Sequence, residues 1–114
     1  MHEVGLMTSA LNQAIVAAND AGARRIERLT FRYSPAGHVT PEVIQTLFVA
    51  MSSGTIAEGA HLVVETQAQS AHCLRCEQTF PVAGPADSCP ICHGPGIALN
   101  NVPELMLESI DVVD

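Results

Sequence analysis

Four cysteines constrain this chain more than any other feature of its sequence. They form two pairs with two residues inside each pair and twelve between the pairs: Cys73, Cys76, Cys89 and Cys92. A two-residue spacer lets one tight turn point both sulfurs at a single ion, and two such turns complete a tetrahedron. Close clustering in a chain that opens without the features of a secretion signal favours a metal over disulfides. The spacing therefore predicts a four-cysteine metal site.

The ligand set also indicates which metal is bound and what it does. Four thiolates fill a tetrahedral coordination sphere, so the ion is expected to be structural, with no open position for a catalytic water. A rubredoxin-like iron centre uses the same ligands but packs aromatic side chains around the metal, and here only Phe80 is near in sequence. Zinc is therefore the favoured ion. Pro90 stiffens the second turn, and Gly94 is expected to have a positive φ.

Two histidines, His72 and His93, directly flank the metal cysteines. One interpretation makes them polar neighbours of a charged thiolate cluster. The other makes them groups that tune the module through protonation or ligand exchange, because the pKa of histidine lies near physiological pH.

Charge and hydropathy exclude several classes of partner. The chain of 114 residues has five arginines, no lysine and twelve acidic residues, giving a net charge of −7. This charge disfavours nucleic-acid binding, which relies on basic side chains that neutralise phosphates. The longest apolar stretches, such as 47–51, are far shorter than the roughly 20 residues needed to span a bilayer. With no basic and apolar signal-peptide regions at the N-terminus, we expect a cytoplasmic protein that binds neither nucleic acid nor membrane.

Hydrophobic periodicity predicts two helices and three strands around the cysteine module. In chain order these are a helix over 4–21 closed by Gly22, a strand over 26–34, a helix from Thr40-Pro41 to Gly54, and strands over 61–67 and 104–112. Each helix has a single apolar stripe, so both are expected to cover the same face of one sheet. The predicted fold class is α+β, a three-stranded sheet with two helices on one face and an inserted zinc-ribbon-like module of four cysteines. The expected domains are an α/β domain of residues 1–69 and 97–114 and a zinc-binding insertion of residues 70–96.

Catalytic motifs are missing from the sequence. There is no Ser/His/Asp order, no glycine-rich phosphate loop and no His-x-x-x-His pair, and Gly94-Pro95-Gly96 is too short to cradle a nucleotide. We therefore predict that the protein is not an enzyme. The residues alone leave open a metal-delivery protein, a zinc-ribbon adaptor for protein interactions without nickel function, and a rubredoxin-like electron carrier.

The N-terminal triplet Met1-His2-Glu3 offers a second set of metal ligands. The Met1 amine, the His2 imidazole and the amides of His2 and Glu3 form fused small chelate rings with four nitrogens roughly in a plane. This geometry suits Ni(II) and Cu(II) and suits Zn(II) poorly. Alternatively, His2 is a solvated terminal residue, and Glu3 is placed in a first helical turn by the helix dipole.

Three motifs together resemble the HypA/HybF family of hydrogenase nickel-incorporation proteins. They are Met1-His2-Glu3 opening an amphipathic helix, the turn before Thr40-Pro41-Glu42, and the cysteine pairs, the second reading Cys89-Pro90-x-Cys92. The resemblance covers essentially the whole chain. It implies a nickel metallochaperone for maturation of NiFe hydrogenase, with Ni(II) at His2, the Met1 amine and nearby amides, and structural Zn(II) at the four cysteines. It also implies a hydrogenase maturation GTPase as partner and the hydrogenase large subunit as recipient.

The chain departs from part of that family in its zinc loop. Some members carry a longer loop with a histidine that can reach the nickel. The twelve residues between Cys76 and Cys89 contain no histidine. Backbone amides or solvent are therefore expected to complete the nickel coordination.

Overall fold

The computed structural model describes residues 2–84 and 88–114, which form two helices and six strands. In chain order these are α1 (His2–Asp20), β1 (Arg25–Tyr33), α2 (Pro41–Ser52), β2 (His61–Thr66), β3 (Ser70–Cys73), β4 (Thr79–Pro81), β5 (Ile97–Leu99) and β6 (Leu105–Val113). The sequence pattern predicted both helices and β1, β2 and β6 with small boundary differences, but it did not predict β3, β4 or β5. In the described part of the chain, neither helix is long and apolar enough to cross a membrane.

Both helices are bounded by residues whose backbone chemistry favours those positions. Gly22 has φ 71° and ends α1. Its N–H donates to the carbonyl of Asn19, and the N–H of Ala23 donates to the carbonyl of Ala18. This pair of bonds is the Schellman motif, which favours glycine because it needs a left-handed residue. At the start of α2, the Thr40 hydroxyl accepts from the Val43 N–H at 3.3 Å, and Pro41 occupies the first turn.

The larger sheet has the strand order β2-β1-β6, with β2 parallel and β6 antiparallel to β1. Buried side chains of both helices and of β1 form a single core cluster, which includes Met7, Leu11, Leu29, Phe31, Ile44 and Phe48. Within it, the rings of Phe31 and Phe48 meet edge to face with their centroids 6.4 Å apart. The predicted α+β fold with an inserted module of four cysteines is confirmed.

A β-bulge changes the side-chain alternation at the beginning of β1. The register with β6 passes from Ile26 opposite Val112 to Arg28 opposite Asp111, which leaves Glu27 as an extra residue. Ile26 is therefore buried beside Leu29, whereas unbroken alternation would turn Glu27 towards the core. The bulge keeps a carboxylate out of the core.

The exposed face of this sheet carries ion pairs between strands. The Arg32 guanidinium contacts Glu65 on β2 and Glu108 on β6, and Arg28 lies 4.0 Å from Asp111. Solvent-exposed pairs of this kind contribute little to stability. They do show that these two arginines have acidic partners within their own sheet.

The smaller sheet has the strand order β4-β3-β5 and joins the larger one through a hydrogen-bonded neck. We define the neck as Ser34, Gln69 and Asn100. The Ser34 hydroxyl lies 2.7 Å from Gln69 Oε1, Gln69 Nε2 donates to the Asn100 carbonyl at 3.3 Å, and Asn100 Oδ1 accepts from the Ser70 N–H at 2.9 Å. The smaller sheet includes β5, which begins one residue beyond the predicted zinc-binding segment of residues 70–96. That domain division stays a prediction.

The burial of the apolar side chains of α2 predicts how much each one contributes to the free energy of unfolding. Ile44 is 1% exposed, and Val49, on the opposite side of the same helix, is 65% exposed. We expect Ile44→Ala to lower the free energy of unfolding by about 2–5 kcal/mol, because it leaves a cavity in the core. Val49→Ala should change it by less than about 0.5 kcal/mol. Urea titrations followed by helical circular dichroism measure both, and equal effects would mean that α2 does not pack as described.

Candidate metal sites

Two turns of the same design present the four cysteines. In the first turn, the Glu77 N–H donates to the Cys73 carbonyl at 2.9 Å, and in the second the His93 N–H donates to the Cys89 carbonyl at 2.8 Å. In each turn the N–H of the second cysteine also points at the sulfur of the first. These distances are 3.4 Å from Cys76 and 3.5 Å from Cys92. The two turns that carry the cysteines therefore have the same hydrogen-bonding pattern.

The left-handed residue in each turn directly follows the second cysteine. Glu77 has φ 61° and His93 has φ 62°. The expected positive φ at Gly94 is wrong, because the turn places that conformation one residue earlier. Gly94 instead allows close packing, since a Cβ there would lie 3.0 Å from Nη1 and 3.1 Å from Cδ of Arg75.

The sulfurs form a cluster of the size that zinc requires. All four Sγ atoms lie within 4.8 Å of one another, and the Cys73–Cys92 and Cys76–Cys89 pairs are each 3.7 Å apart. Four Zn–S bonds of about 2.3 Å in a tetrahedron separate the sulfurs by about 3.8 Å. A disulfide would need about 2.05 Å, and all four residues are free cysteines. The predicted cluster of four cysteines thus fits a structural Zn(II) ion.

Without a cation, the clustered thiols compete for ionisation. The Cys76 N–H lowers the pKa of Cys73 to about 6, and the Cys92 N–H lowers the pKa of Cys89. For Cys76 the Gln78 N–H acts in the same direction, but burial and the neighbouring sulfurs outweigh it and raise the pKa to about 12. A bound divalent cation stabilises all four thiolates, which removes this competition.

The two flanking histidines occupy different settings. His72 is exposed on β3, with Nδ1 3.1 Å from the Thr79 hydroxyl, and His93 is the left-handed residue of the second turn. Each position has a local structural explanation. A tuning role for His72 or His93 stays a prediction.

The proposed nickel ligands lie at the start of α1, where the structure describes His2 and Glu3. Met1 lies outside the described residues. The His2 imidazole is exposed, and its Nε2 lies 2.7 Å from Oε2 of Glu104. The pKa of the Glu3 carboxyl is lowered, first because its own backbone N–H donates to it. Amides in a first helical turn have no carbonyl of a preceding turn to bind, and the Glu3 amide binds the carboxyl of its own side chain instead.

Glu104 is the residue at this site that the sequence reasoning missed. It precedes β6, and 102 positions separate it from His2. Local patterns cannot show such a contact, but the predicted topology contained a signal. The beginning of α1 lies at the end of the sheet where β1 finishes, and an antiparallel third strand must start there, as Leu105 does opposite Tyr33.

These features define a class of protein: an α/β body with an exposed histidine at its N-terminus, joined to a ribbon closed by four cysteines. A family model described as hydrogenase/urease nickel incorporation, metallochaperone, HypA, matches residues 1–112. The chain belongs to the HypA family, as the sequence motifs predicted. This family consists of metallochaperones, which also agrees with the prediction that the chain is not an enzyme.

Known relatives match along their whole length. Hydrogenase maturation factor HypA of Picosynechococcus sp. is 33% identical over 99% of this chain and 100% of its own. The factor of the same name from Geotalea daltonii is also 33% identical, with the same coverage. The solution structure of the Ni metallochaperone HypA from Helicobacter pylori has a TM-score of 0.66 at 17% identity and covers 97% of each chain. This structural match supports the fold.

The zinc geometry predicts a local effect of losing one ligand. Cys89→Ser should unfold the turns and β3–β5 but largely spare α2, because metal binding supplies the folding free energy of a module with little apolar core. Ser88→Ala, at the exposed neighbouring position, should leave both regions folded. Amide hydrogen exchange measures each region separately. Equal loss of protection in α2 would contradict the independence of the two parts.

Proposed function

We propose that this chain is a nickel metallochaperone that binds Ni(II) at its N-terminus and delivers it during maturation of NiFe hydrogenase. The observation that carries the proposal is an exposed His2 imidazole in the first turn of α1, in a chain of the HypA family. An exposed site suits an ion that is cargo, because the ion must leave the protein again.

The proposed ligands are the Met1 amine, the His2 amide and imidazole, and the Glu3 amide. Three small chelate rings would hold Ni(II), with the nitrogens roughly in a plane: one between the Met1 amine and the His2 amide, one between the two amides, and one between the His2 amide and its imidazole. Support comes from the position of His2 and Glu3 in the first turn of α1, outside the helix ladder, where the Glu3 amide would exchange its contact with the Glu3 carboxyl for the metal.

The zinc ion has a different proposed role. Its four cysteine ligands leave no open coordination position, and Cys73 and Cys89 are fully buried. Zinc therefore stabilises the ribbon and takes no part in carrying nickel. His72 and His93 remain candidates for tuning this module.

The partners follow from the proposed role. Family membership places the chain with the hydrogenase maturation machinery. Within that machinery we propose a maturation GTPase as the partner and the hydrogenase large subunit as the recipient of nickel, in the cytoplasm.

Removing the terminal imidazole tests the nickel site directly. In untagged protein, His2→Ala should abolish tight Ni(II) binding while one zinc per chain remains, because the planar set loses a nitrogen and the thiolates are untouched. An N-terminal tag should have the same effect, since it converts the Met1 amine into an amide. Calorimetric titration with Ni(II) and metal analysis provide the two measurements.

A matched histidine change controls for nonspecific loss of binding. His61 is exposed at the start of β2, at the end of the sheet away from Glu104, and His61→Ala should leave nickel affinity unchanged. If the His2→Ala protein keeps full affinity, the N-terminal assignment is wrong and His72 and His93 become the next candidates.

A further inference from the structure

We propose that Glu104 is a positioning residue of the nickel site, which holds the His2 ring in the tautomer and orientation that the chelate needs. This inference rests on the proposed function, because it assumes that His2 ligates nickel. It starts from the 2.7 Å contact between His2 Nε2 and Glu104 Oε2.

The two ring nitrogens of His2 are not equivalent for a chelate that also uses the His2 amide. Nδ1 lies next to the carbon that joins the ring to the backbone, so it can close a small ring through the metal to that amide. Nε2 is on the far side of the imidazole and cannot close the same ring. The nitrogen that contacts Glu104 is therefore the one that the chelate does not use.

The contact also determines the position of the ring proton. A carboxylate only accepts hydrogen bonds, so Nε2 must carry the hydrogen that joins it to Glu104. In a neutral imidazole, Nδ1 then keeps its lone pair for a metal. Metal-binding histidines commonly donate their second N–H to a carboxylate in this way, which orients the ring and increases its basicity.

The body of the protein holds Glu104 in place. Its backbone carbonyl accepts from the Ser34 N–H at 3.1 Å, and the next residue, Leu105, is buried opposite Tyr33 at the start of β6. The Glu104 side chain is 36% exposed and the His2 side chain 63% exposed. The carboxylate thus comes from a fixed part of the fold, while the imidazole remains open to an incoming ion.

A carboxylate beside the start of α1 also has a purely structural explanation, because negative charge stabilises a helix N-terminus. Two readouts separate the roles in untagged, zinc-loaded protein. One is Ni(II) affinity by titration, and the other is the tautomer of the His2 ring by nitrogen NMR, at a pH where the nitrogen chemical shifts show that the ring is neutral. A structural role would change helix stability without moving the ring proton.

We expect Glu104→Ala to weaken Ni(II) binding about 10–100-fold, the usual cost of losing a partner of a metal-bound histidine. It should also raise the share of rings protonated at Nδ1. Glu104→Gln should recover part of the affinity, because its amide oxygen still accepts from Nε2. The matched control is Glu108→Gln, which removes a charge from β6, the strand that directly follows Glu104, and should leave affinity and tautomer as in the wild type. The absorption spectrum of bound nickel should be the same in all variants.

Different results identify different errors. Wild-type protein that binds nickel without using His2 overturns the proposed function. If His2 binds nickel and Glu104→Ala keeps wild-type affinity or tautomer, the positioning role is wrong. An equal loss of Ni(II) affinity in Glu108→Gln would show that the effect comes from the overall charge and not from the contact with His2. A changed nickel spectrum in Glu104→Ala would show that Glu104 coordinates the ion itself, which also overturns the positioning role.

Discussion

The antiparallel pairing of β6 with β1 is the contact on which the rest of this structure depends. Without β6, the β1–α2–β2 unit would hold only a two-stranded sheet, which is too small to be stable alone. The pairing runs from Arg25 opposite Val113 to Tyr33 opposite Leu105, so it spans the full length of β1. It gives α1 a surface to cover and brings Glu104 to the end of the sheet where α1 begins. One register therefore sets both the core and the surroundings of His2.

The same topology determines where the zinc ribbon is attached. Tyr33 pairs with Thr66 at the end of β2 and with Leu105 at the start of β6, so the chain leaves and re-enters the large sheet at the same level. Gln69 and Asn100 bind each other across this opening, and Ser34 binds Gln69 from the body. The neck thus closes the base of the insertion with polar contacts that do not involve the cysteines. Ser34 also binds the Glu104 carbonyl, which places the neck next to the proposed nickel site.

Sequence patterns predicted what depends on local periodicity and spacing, and they failed where distant segments decide the structure. The apolar stripes identified both helices, and the cysteine spacing identified the metal cluster. Strands of three or four residues, such as β4 and β5, carry too few side chains for a pattern and form because the two cysteine turns bring them beside β3. The positive φ at His93 followed the geometry of the turn and not the preference of glycine for that conformation. The His2–Glu104 contact depends on tertiary packing, which only the topology could have suggested.

The two proposed metal sites differ in ligand chemistry in a way that keeps their ions apart. Four thiolates in a tetrahedron favour zinc, whereas a planar set of nitrogens favours Ni(II) and disfavours zinc. The planar set needs a primary amine next to deprotonated amides, which a chain provides only at its N-terminus. Copper is a different case, because Cu(II) accepts the same geometry and binds nitrogen ligands more strongly than Ni(II). The N-terminal ligands can therefore exclude zinc but not copper, so selection of nickel over copper must come from the supply of metal ions or from the partner that receives them.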